Sequence, residues 1–576
     1  MPMRRRNLRR PHILSLVLSL LVLALPASAR TWTKELAQGV TLTQKVINPS
    51  GQVASTPQVI SILKVDPKAP GLRIQAVLAQ DRVLGADSTK GREKASSIAK
   101  RLNAAAVVNA DFLPFFTGDV LSLHISGGEL MSEPYPQRPV FGITSDGRFL
   151  FDKLELDAKI ALPEGKWFPI RGINGPREQH RLMAYTSRFF DTTCTTNGGS
   201  EAVVKCDGLP VRVGVPLSGT VTEVRSMAGD ALIPDGSLVL SGSGTGAKFI
   251  DEYLKPGTSV TMEFDLKPSK TKGWEKVVEA VGGGPWLVKG GKASIDAKDE
   301  GFQPGFCLSR YPRTALGAAQ DGKLVLVTVD GQQSISAGMT LPQLAQVMLS
   351  EGCVEAINLD GGGSTTMATA FGILNSPSAG SERPVANALA VFANVPEQEC
   401  PDFAITPDVS SVPSGQSVQL LLVDASGQPI SADIASQAIW AASGGMGFVD
   451  QSGRFYGIKA GSGSVTAKIG ARVARAPVET APGSPDKLTA RFEPDPTGAP
   501  NRSGLVISVK DLNGNSIEGC SVSVKVTGGT PDQPNLTTAK DGKASTGITW
   551  EAAPATPANA TVTVTGLPAL VVERPK

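Results

Sequence analysis

The sequence predicts an α+β domain with mixed β-sheets over residues 30–397, followed by two all-β sandwiches at 398–482 and 484–576. Three observations carry that reading. Gly 62 and Pro 42 together make 104 of 576 residues against 5% aromatics, a turn-rich composition. The hydrophobic fraction of 41% is enough for packed cores and excludes a wholly disordered chain. Helical and strand patterns interleave up to about residue 397, after which only short alternating strands recur.

The first 29 residues read as a secretory signal peptide. Arg4, Arg5, Arg6, Arg9 and Arg10 precede an apolar run from Ile13 to Leu25, and Ala27-Ser28-Ala29 supplies the cleavage pattern. The apolar run is too short for a helix across a roughly 30 Å hydrocarbon core, which weighs against a retained anchor. Arg5-Arg6 matches a twin-arginine signal only loosely. Cleavage removes five Arg and no acid, so the formal charge of +3 becomes +3 − 5 = −2. No basic run survives to bind nucleic acid, and no later stretch reaches membrane-span length. The expected product is periplasmic or secreted.

Within 30–397, Ala95, Ile98, Ala99 and Leu102 fall on one face of a short helix. Leu341, Leu344, Ala345 and Met348 repeat the spacing, with Thr340 and Gln343 as a capping box and Gly352 as the stop. Lys323 to Val329 and Cys353 to Leu359 are strands on either side, brought close if they are neighbours in one sheet. Gly242, Gly244 and Gly246 read as turn residues, since no helix with apolar periodicity is seen to follow them.

After residue 397, Val418, Leu420 and Leu422 alternate, and Trp440 is a core candidate. Leu505, Ile507 and Val509 alternate before Asp511-Leu512-Asn513-Gly514-Asn515, with Val522 to Val526 after it, a hairpin pattern. A calcium loop there would need Gly at 516 and Glu at 522, where Ser516 and Val522 stand. Both units resemble bacterial Ig-like domains, the last one the invasin-type repeats.

Six Cys in an exported chain fit three disulfides, and the pairs proposed from spacing are Cys194–Cys206, Cys307–Cys353 and Cys400–Cys520. Only three His are present, one of them in the leader, so multi-His metal sites are not expected.

The most informative stretch is Asn358-Leu359-Asp360-Gly361-Gly362-Gly363-Ser364-Thr365-Thr366. A strand delivers Asn358 and Asp360 into three glycines, which let backbone N–H groups approach an anion, and three hydroxyls follow. A tight turn with a self-capping Asp is the plainer alternative. A nucleotide P-loop needs a Lys that is missing here, and neither Gly-x-Ser-x-Gly nor His-Glu-x-x-His occurs. Arg313 offers a guanidinium fork for phosphate or carboxylate. Asp330-Gly331 ends a strand, Asn109-Ala110-Asp111 ends another, Gly282-Gly283-Gly284 forms a second glycine triplet, and Arg383 and Asn387 come late.

Together these pieces resemble the phosphodiester glycosidases over roughly residues 60–397. The strongest motif is Asn358 to Thr366, joined by Arg313 to Gly317, Asp330-Gly331-Gln332, Gly282 to Trp286, and Phe141-Gly142-Ile143 with Asp146-Gly147. Asn109 matches the first residue of the family's Asn-Gly-Gly-Phe-Phe segment, whereas Ala110, Asp111 and Leu113 depart from it. The resemblance implies hydrolysis of a sugar-1-phosphodiester, with a glycan or sugar phosphate of the envelope or extracellular space as substrate. Asp360, Asp330, Asp111 and Arg313 are the expected catalytic residues, Asp360 foremost. Asn109, Asn358, Gly361, Gly362, Gly363, Ser364, Thr365, Thr366, Gly283, Gly284, Arg383 and Asn387 are the expected substrate contacts. Nucleophile and base stay unassigned, no cofactor is implied, and a divalent metal stays open. His124 is a candidate acid or a structural residue. The competing reading is a surface adhesin or glycan-binding protein that uses its Ig-like pair, which could also dock to a cell surface, without turnover.

Overall fold

The computed structural model describes residues 29–574 apart from 48–55, 85–90, 115–117, 296, 397, 408, 496–498, 500 and 553–556. The Arg cluster and apolar run of the predicted leader thus lie outside the described residues. The chain is mostly β, 48% strand and 9% helix. No described helix is long and apolar enough to cross a membrane.

Four layers build the region around the site. An eight-stranded sheet contains the strands Leu324–Val329, Arg313–Ala319, Cys353–Asn358 and Trp286–Lys289 in that order. Facing it is a nine-stranded sheet with Ala106–Asn109 flanked by Met367–Thr369 and Asn387–Phe392. Leu316, Leu326 and Ile357 of the first sheet meet Val108, Met367 and Leu389 of the second in one core. The helix Leu341–Ser350 covers the outer face of the first sheet, placing Leu341, Leu344, Ala345 and Met348 against Val325 and Val327. The helix Ala95–Arg101 covers the other outer face through Ala95, Ile98 and Ala99. This explains why Leu324–Val329 is an unbroken apolar run apart from Thr328: its odd and even residues face two different cores.

The predicted capping box is present, with Thr340 Oγ1 accepting from Gln343 N–H and Gln343 Oε1 accepting from Thr340 N–H. Gly352, at φ +87°, follows the end of the helix as expected. The two strands either side are not neighbours, because Arg313–Ala319 lies between them and pairs antiparallel with both. Among the described residues of 29–392 the paired strands run antiparallel, with one isolated parallel bridge between Ile173 and Ala184, where mixed sheets were expected. The helix Thr245–Tyr253 does follow the 242–246 glycines, correcting the turn reading. Its inner face is Gly246, Phe249, Ile250 and Tyr253, at helical spacing, with Phe249 stacked on Phe168 at 4.7 Å; the glycine in the first of these positions hides the period in the sequence.

A second, eleven-stranded antiparallel sheet fills residues 124–282 around its own core. Of the strands in residues 404–481, Val409–Pro413, Ile439–Ser443, Gly461–Ile469 and Arg472–Ala481 are part of the nine-stranded sheet, joined to the rest of it through the Ile373–Ala442 pair, and the others form a two-stranded and a three-stranded sheet. Ile439 and Ala441 accordingly belong to the core between the two large sheets. Residues 485–573 form two four-stranded sheets around a separate core that includes Leu505, Ile507, Val509 and Trp550. The expected hairpin at Asn513-Gly514 is instead a crossing, since Arg502–Asp511 and Ser521–Thr527 belong to opposite sheets. Asp511 Oδ1 accepts the N–H groups of Asn513 and Asn515, which tightens the turn from within.

None of the three expected disulfides forms, and all six cysteines are free. Cys194 follows Thr193, which is bonded to Glu201 at the start of the strand Ser200–Cys206, whereas Cys206 is the strand's last residue. Cys307 sits on the helix Pro304–Leu308, beside Arg313, whereas Cys353 pairs with Ala319 at the other end of that strand. Cys400 and Cys520 pack on different cores.

Candidate active site

The site forms where the facing sheets bring two strand ends together. Asp360 N–H donates to Ala110 O at 2.9 Å, and Asn109 Nδ2 donates to Asp360 O at 2.7 Å. Asn109 Oδ1 accepts from Thr314 Oγ1 at 2.9 Å and from Thr366 N–H at 3.0 Å. The buried Asn109 therefore cross-links both sheets and positions the loop, a role only a fully bonded amide can fill there. Asn358 donates from Nδ2 to Gly284 O and Leu359 O, and Gly284 N–H returns a bond to Asn358 O at 2.7 Å. A Cβ on Gly283 would come 2.7 Å from Asn358 O, so the second glycine triplet exists for this close approach.

Asp111 is 1% exposed. Its Oδ1 accepts from Phe112 N–H at 2.7 Å and its Oδ2 from Ser122 N–H at 2.9 Å. Burial pushes its carboxyl up to about 7; the two N–H donors and Arg138 pull the other way, and the charge of Asp360 adds to the rise. Asp360 is pushed up to about 6, again by burial, against a hydrogen bond from Ser364, the Arg383 charge and the Gly361 N–H. Asp111 N–H donates to Asn387 Oδ1 at 2.8 Å, which fixes Asn387 Nδ2 as the donor facing His124 Nδ1 at 3.2 Å. The His124 proton then sits on Nε2, and burial takes the ring down to about 3, so it is neutral. A neutral imidazole serves here as a positioning group, not as an acid.

The glycine loop differs from the expected amide cradle. Gly362–Ser364 is a 3₁₀ turn in which Gly362 N–H binds Pro312 O, Ser364 N–H binds Gly361 O and Thr365 N–H binds Gly362 O. These amides are satisfied within the protein, and Thr366 N–H is held by Asn109. What the glycines provide is room: a Cβ on Gly361 would lie 2.8 Å from Pro312 O, and one on Gly363 would lie 2.5 Å from Arg383 Nη2. Gly362 holds φ +60°. The loop thus seats Arg383, whose Nη1 reaches Ser364 Oγ at 3.5 Å.

Arg313 is placed otherwise than the sequence suggested. It is 1% exposed, with Nε on Met339 O at 2.9 Å and Nη2 on Phe306 O and Ser309 O at 2.6 and 2.9 Å. Its fork ties the helix Pro304–Leu308 and the 339 segment to the sheet, facing carbonyls and not an anion. Asp330 likewise stands behind the loop: Oδ1 accepts from Asn375 Nδ2 at 2.8 Å and Oδ2 from Ser376 N–H at 2.9 Å. Burial pushes it up to about 7. Asn375 Nδ2 also donates to Thr365 O, so Asp330 supports the loop through a neighbour.

Three residues that sequence reasoning passed over belong to the site. Ser122 joins Asp111 to the Tyr135 turn, its hydroxyl accepting from Tyr135 N–H at 3.0 Å. Glu300 accepts from Trp286 N–H beside Gly284. Arg138 interacts electrostatically with Asp111 and Glu300. No local pattern marks any of them, since their partners come from distant chain segments. Buried polar atoms without hydrogen-bond partners among the described residues gather on this same set: Asn358 Oδ1, Thr366 Oγ1, His124 Nε2, and Arg138 Nε and Nη1.

Comparison with known proteins bears on this arrangement. Residues 211–392 match the phosphodiester glycosidase family. The match includes Gly282–Gly284, Arg313, Asp330, Asp360, the glycine loop, Arg383 and Asn387, and it ends short of Asn109, Asp111 and Arg138 on the N-terminal side. The chain is 43% identical over 82 residues to an SPbeta prophage-derived uncharacterized protein, YomE, of Bacillus subtilis, covering 14% of this chain and 13% of that one. It is 38% identical over 98 residues to the Bos taurus N-acetylglucosamine-1-phosphodiester alpha-N-acetylglucosaminidase, covering 16% of this chain and 18% of that one. It thus spans less than a fifth of the length of the curated relatives it matches. A hypothetical protein from Synechocystis shares the fold with TM-score 0.53 at 22% identity, over 63% of this chain and 64% of that one. The phosphodiester glycosidase match supports a hydrolase of this kind.

Proposed function

We propose that this chain is an exported phosphodiester glycosidase that hydrolyses the bond between an anomeric carbon and phosphate in an envelope or extracellular glycan. One observation carries the reading: two buried carboxyls, Asp111 and Asp360, are raised to about 7 and about 6, the charge of Asp360 acting on Asp111, that of Arg138 on Asp111 and that of Arg383 on Asp360. Paired carboxyls pushed to different values divide the work of glycoside hydrolysis. Asp360, the more acidic, is the ionised member and acts as nucleophile or as base for water. Asp111 keeps its proton near neutrality and can share it with the departing oxygen. A phosphomonoester leaves as a stable anion, so this assistance is light, and the larger need is to hold the phosphate's charge, with Arg383 and Ser364 at hand. Residues 398–482 and 484–576 are proposed as Ig-like domains that dock the enzyme on its substrate surface, in keeping with a make-up of strands broken by the short helix Ala432–Ala435.

The test is incubation of the full chain with a panel of sugar-1-phosphodiesters, with and without chelator, followed by assay for reducing sugar and phosphomonoester. Stoichiometric release of both supports the proposal. Glycan binding without release from any member would favour the adhesin reading instead.

A further inference from the structure

Arg138 sits at the end of a turn closed by its own N–H on Tyr135 O at 2.9 Å. That turn is anchored to Asp111 through Ser122, and the next residue, Pro139, accepts Gly283 N–H at 3.1 Å, so the arginine is fixed against the glycine triplet as well. Its guanidinium carbon lies 4.3 Å from the ring centre of Phe302, 5.1 Å from Phe112 and 5.0 Å from Tyr135. Three aromatic faces hold the group in place while offering it no acceptor oxygen.

The consequence is an unusual hydrogen-bonding state. Nε and Nη1 are buried and have no partner among the described residues. A guanidinium presents five donors, and leaving them unmet in a dry setting is costly unless an acceptor arrives. Arg313 shows the contrast within the same fold, since its Nε and Nη2 are bound to three carbonyls. Two carboxyls act on Arg138: Asp111, whose oxygens are occupied by two backbone N–H groups and which is mostly protonated below about 7, and Glu300, one oxygen of which accepts from Trp286 N–H. Neither carboxyl takes a hydrogen bond from Nε or Nη1, so these donors are left to an acceptor from outside the protein.

We propose that Arg138 binds the phosphate of a phosphodiester substrate, its Nε and Nη1 donating to non-bridging oxygens of the anion. The pairing is the fork geometry that guanidinium offers and ammonium does not. This rests on the phosphodiester glycosidase reading of the site but is tested apart from it, because the readout is binding and not turnover. The aromatic cage makes Arg138 rigid before the ligand arrives, so little side-chain ordering accompanies binding.

The experiment titrates the full chain with inorganic phosphate by calorimetry at low salt, for the native protein, Arg138→Lys and Arg138→Gln, with circular dichroism as the folding control. The expected result is affinity lower by about tenfold or more in Arg138→Gln, with Arg138→Lys only partly restored. Should either variant fold poorly, the native protein is treated with phenylglyoxal with and without phosphate, and the peptide carrying Arg138 is followed by mass spectrometry. Protection by phosphate supports the assignment. Phosphate affinity within twofold of native in folded Arg138→Gln, or no protection of that peptide, overturns it. Arg138-dependent phosphate binding in a protein that releases sugar from no diester would leave this assignment standing and remove the hydrolase.

Discussion

The pH profile of kcat/KM offers the sharpest test of the two-carboxyl arrangement. Activity needs Asp360 ionised and Asp111 protonated, so it rises as pH passes through about 6 and falls as pH passes through about 7. With those values, the correct pair of states reaches only about 60% at its maximum near pH 6.5, and falls about twentyfold by pH 4.5 and by pH 8.5. The curve is therefore a narrow bell whose limbs belong to the pair. Asp360→Asn removes the acid limb, since nothing is left to ionise there. It also lowers kcat/KM by about 10²–10⁴ for loss of a group acting as base or nucleophile. The substitution is mild for folding because the Ser364 hydroxyl that serves Asp360 can turn to accept from an amide. The assay is initial-rate release of reducing sugar across pH 4–9 with folding monitored in parallel. A flat native profile between pH 5 and 8, or an Asp360→Asn variant within threefold of native that keeps its acid limb, would refute the reasoning.

Other expectations follow from the same geometry. Arg313→Lys cannot reach three carbonyls at once, so it should lower stability by about 1.5–3 kcal/mol while the folded fraction keeps kcat/KM within about threefold; thermal melts and active-site-normalised rates check this. Asp330→Asn puts an amide NH₂ against either Asn375 Nδ2 or Ser376 N–H and should also cost about 1–3 kcal/mol, read from urea midpoints, with no change in the shape of the pH profile. A chain ending at residue 397 strips Ile439 and Ala441 from the central core and exposes the Gly372–Ile373 strand, so it should melt lower than the full chain or aggregate, as sedimentation would show. Gly363→Ala should displace Arg383 and raise KM for a diester by about tenfold with little change in melting temperature.

The elements most legible in the sequence were those whose cause is local. Thr340, Gln343 and Gly352 mark a helix because capping chemistry acts within a few residues, and the same holds for the Ala95–Arg101 face. The Asn358–Thr366 stretch stands out because a strand runs into glycines and hydroxyls; in the structure the glycines give room to Pro312 and Arg383, while the N–H groups of Gly362, Ser364 and Thr365 are bound within the protein. What stayed hidden was long-range. Asn387 reaches His124 across 263 positions and Arg138 meets Phe302 across 302 − 138 = 164, with no pattern to connect them. Arg313 was misjudged because a guanidinium in a strand looks the same in sequence whether it faces a ligand or the protein's own carbonyls. The extent of the 404–481 strands was also obscured, because a single residue pair, Ile373 with Ala442, decides that four of them continue another sheet.

The Asp511–Asn515 turn has a mechanical meaning for a protein held at its C-terminal end. Asn513 Oδ1 accepts Ser334 N–H at 3.1 Å and its Nδ2 donates to Ser414 Oγ, while Asn515 grips Ala460 N–H and Ile458 O. From Ser334 the connection runs to Gln333, which holds Ser376 O and Pro377 O, and Ser376 N–H is in turn fixed on Asp330, beside Asn375 and Thr365. A tug on the last segment is thus delivered through this turn to the support of the glycine loop, not dissipated along a slack tether. Under load in an optical trap, Asn513→Ala should let the last segment part from the rest at lower force than native. Equal rupture forces would place the load elsewhere.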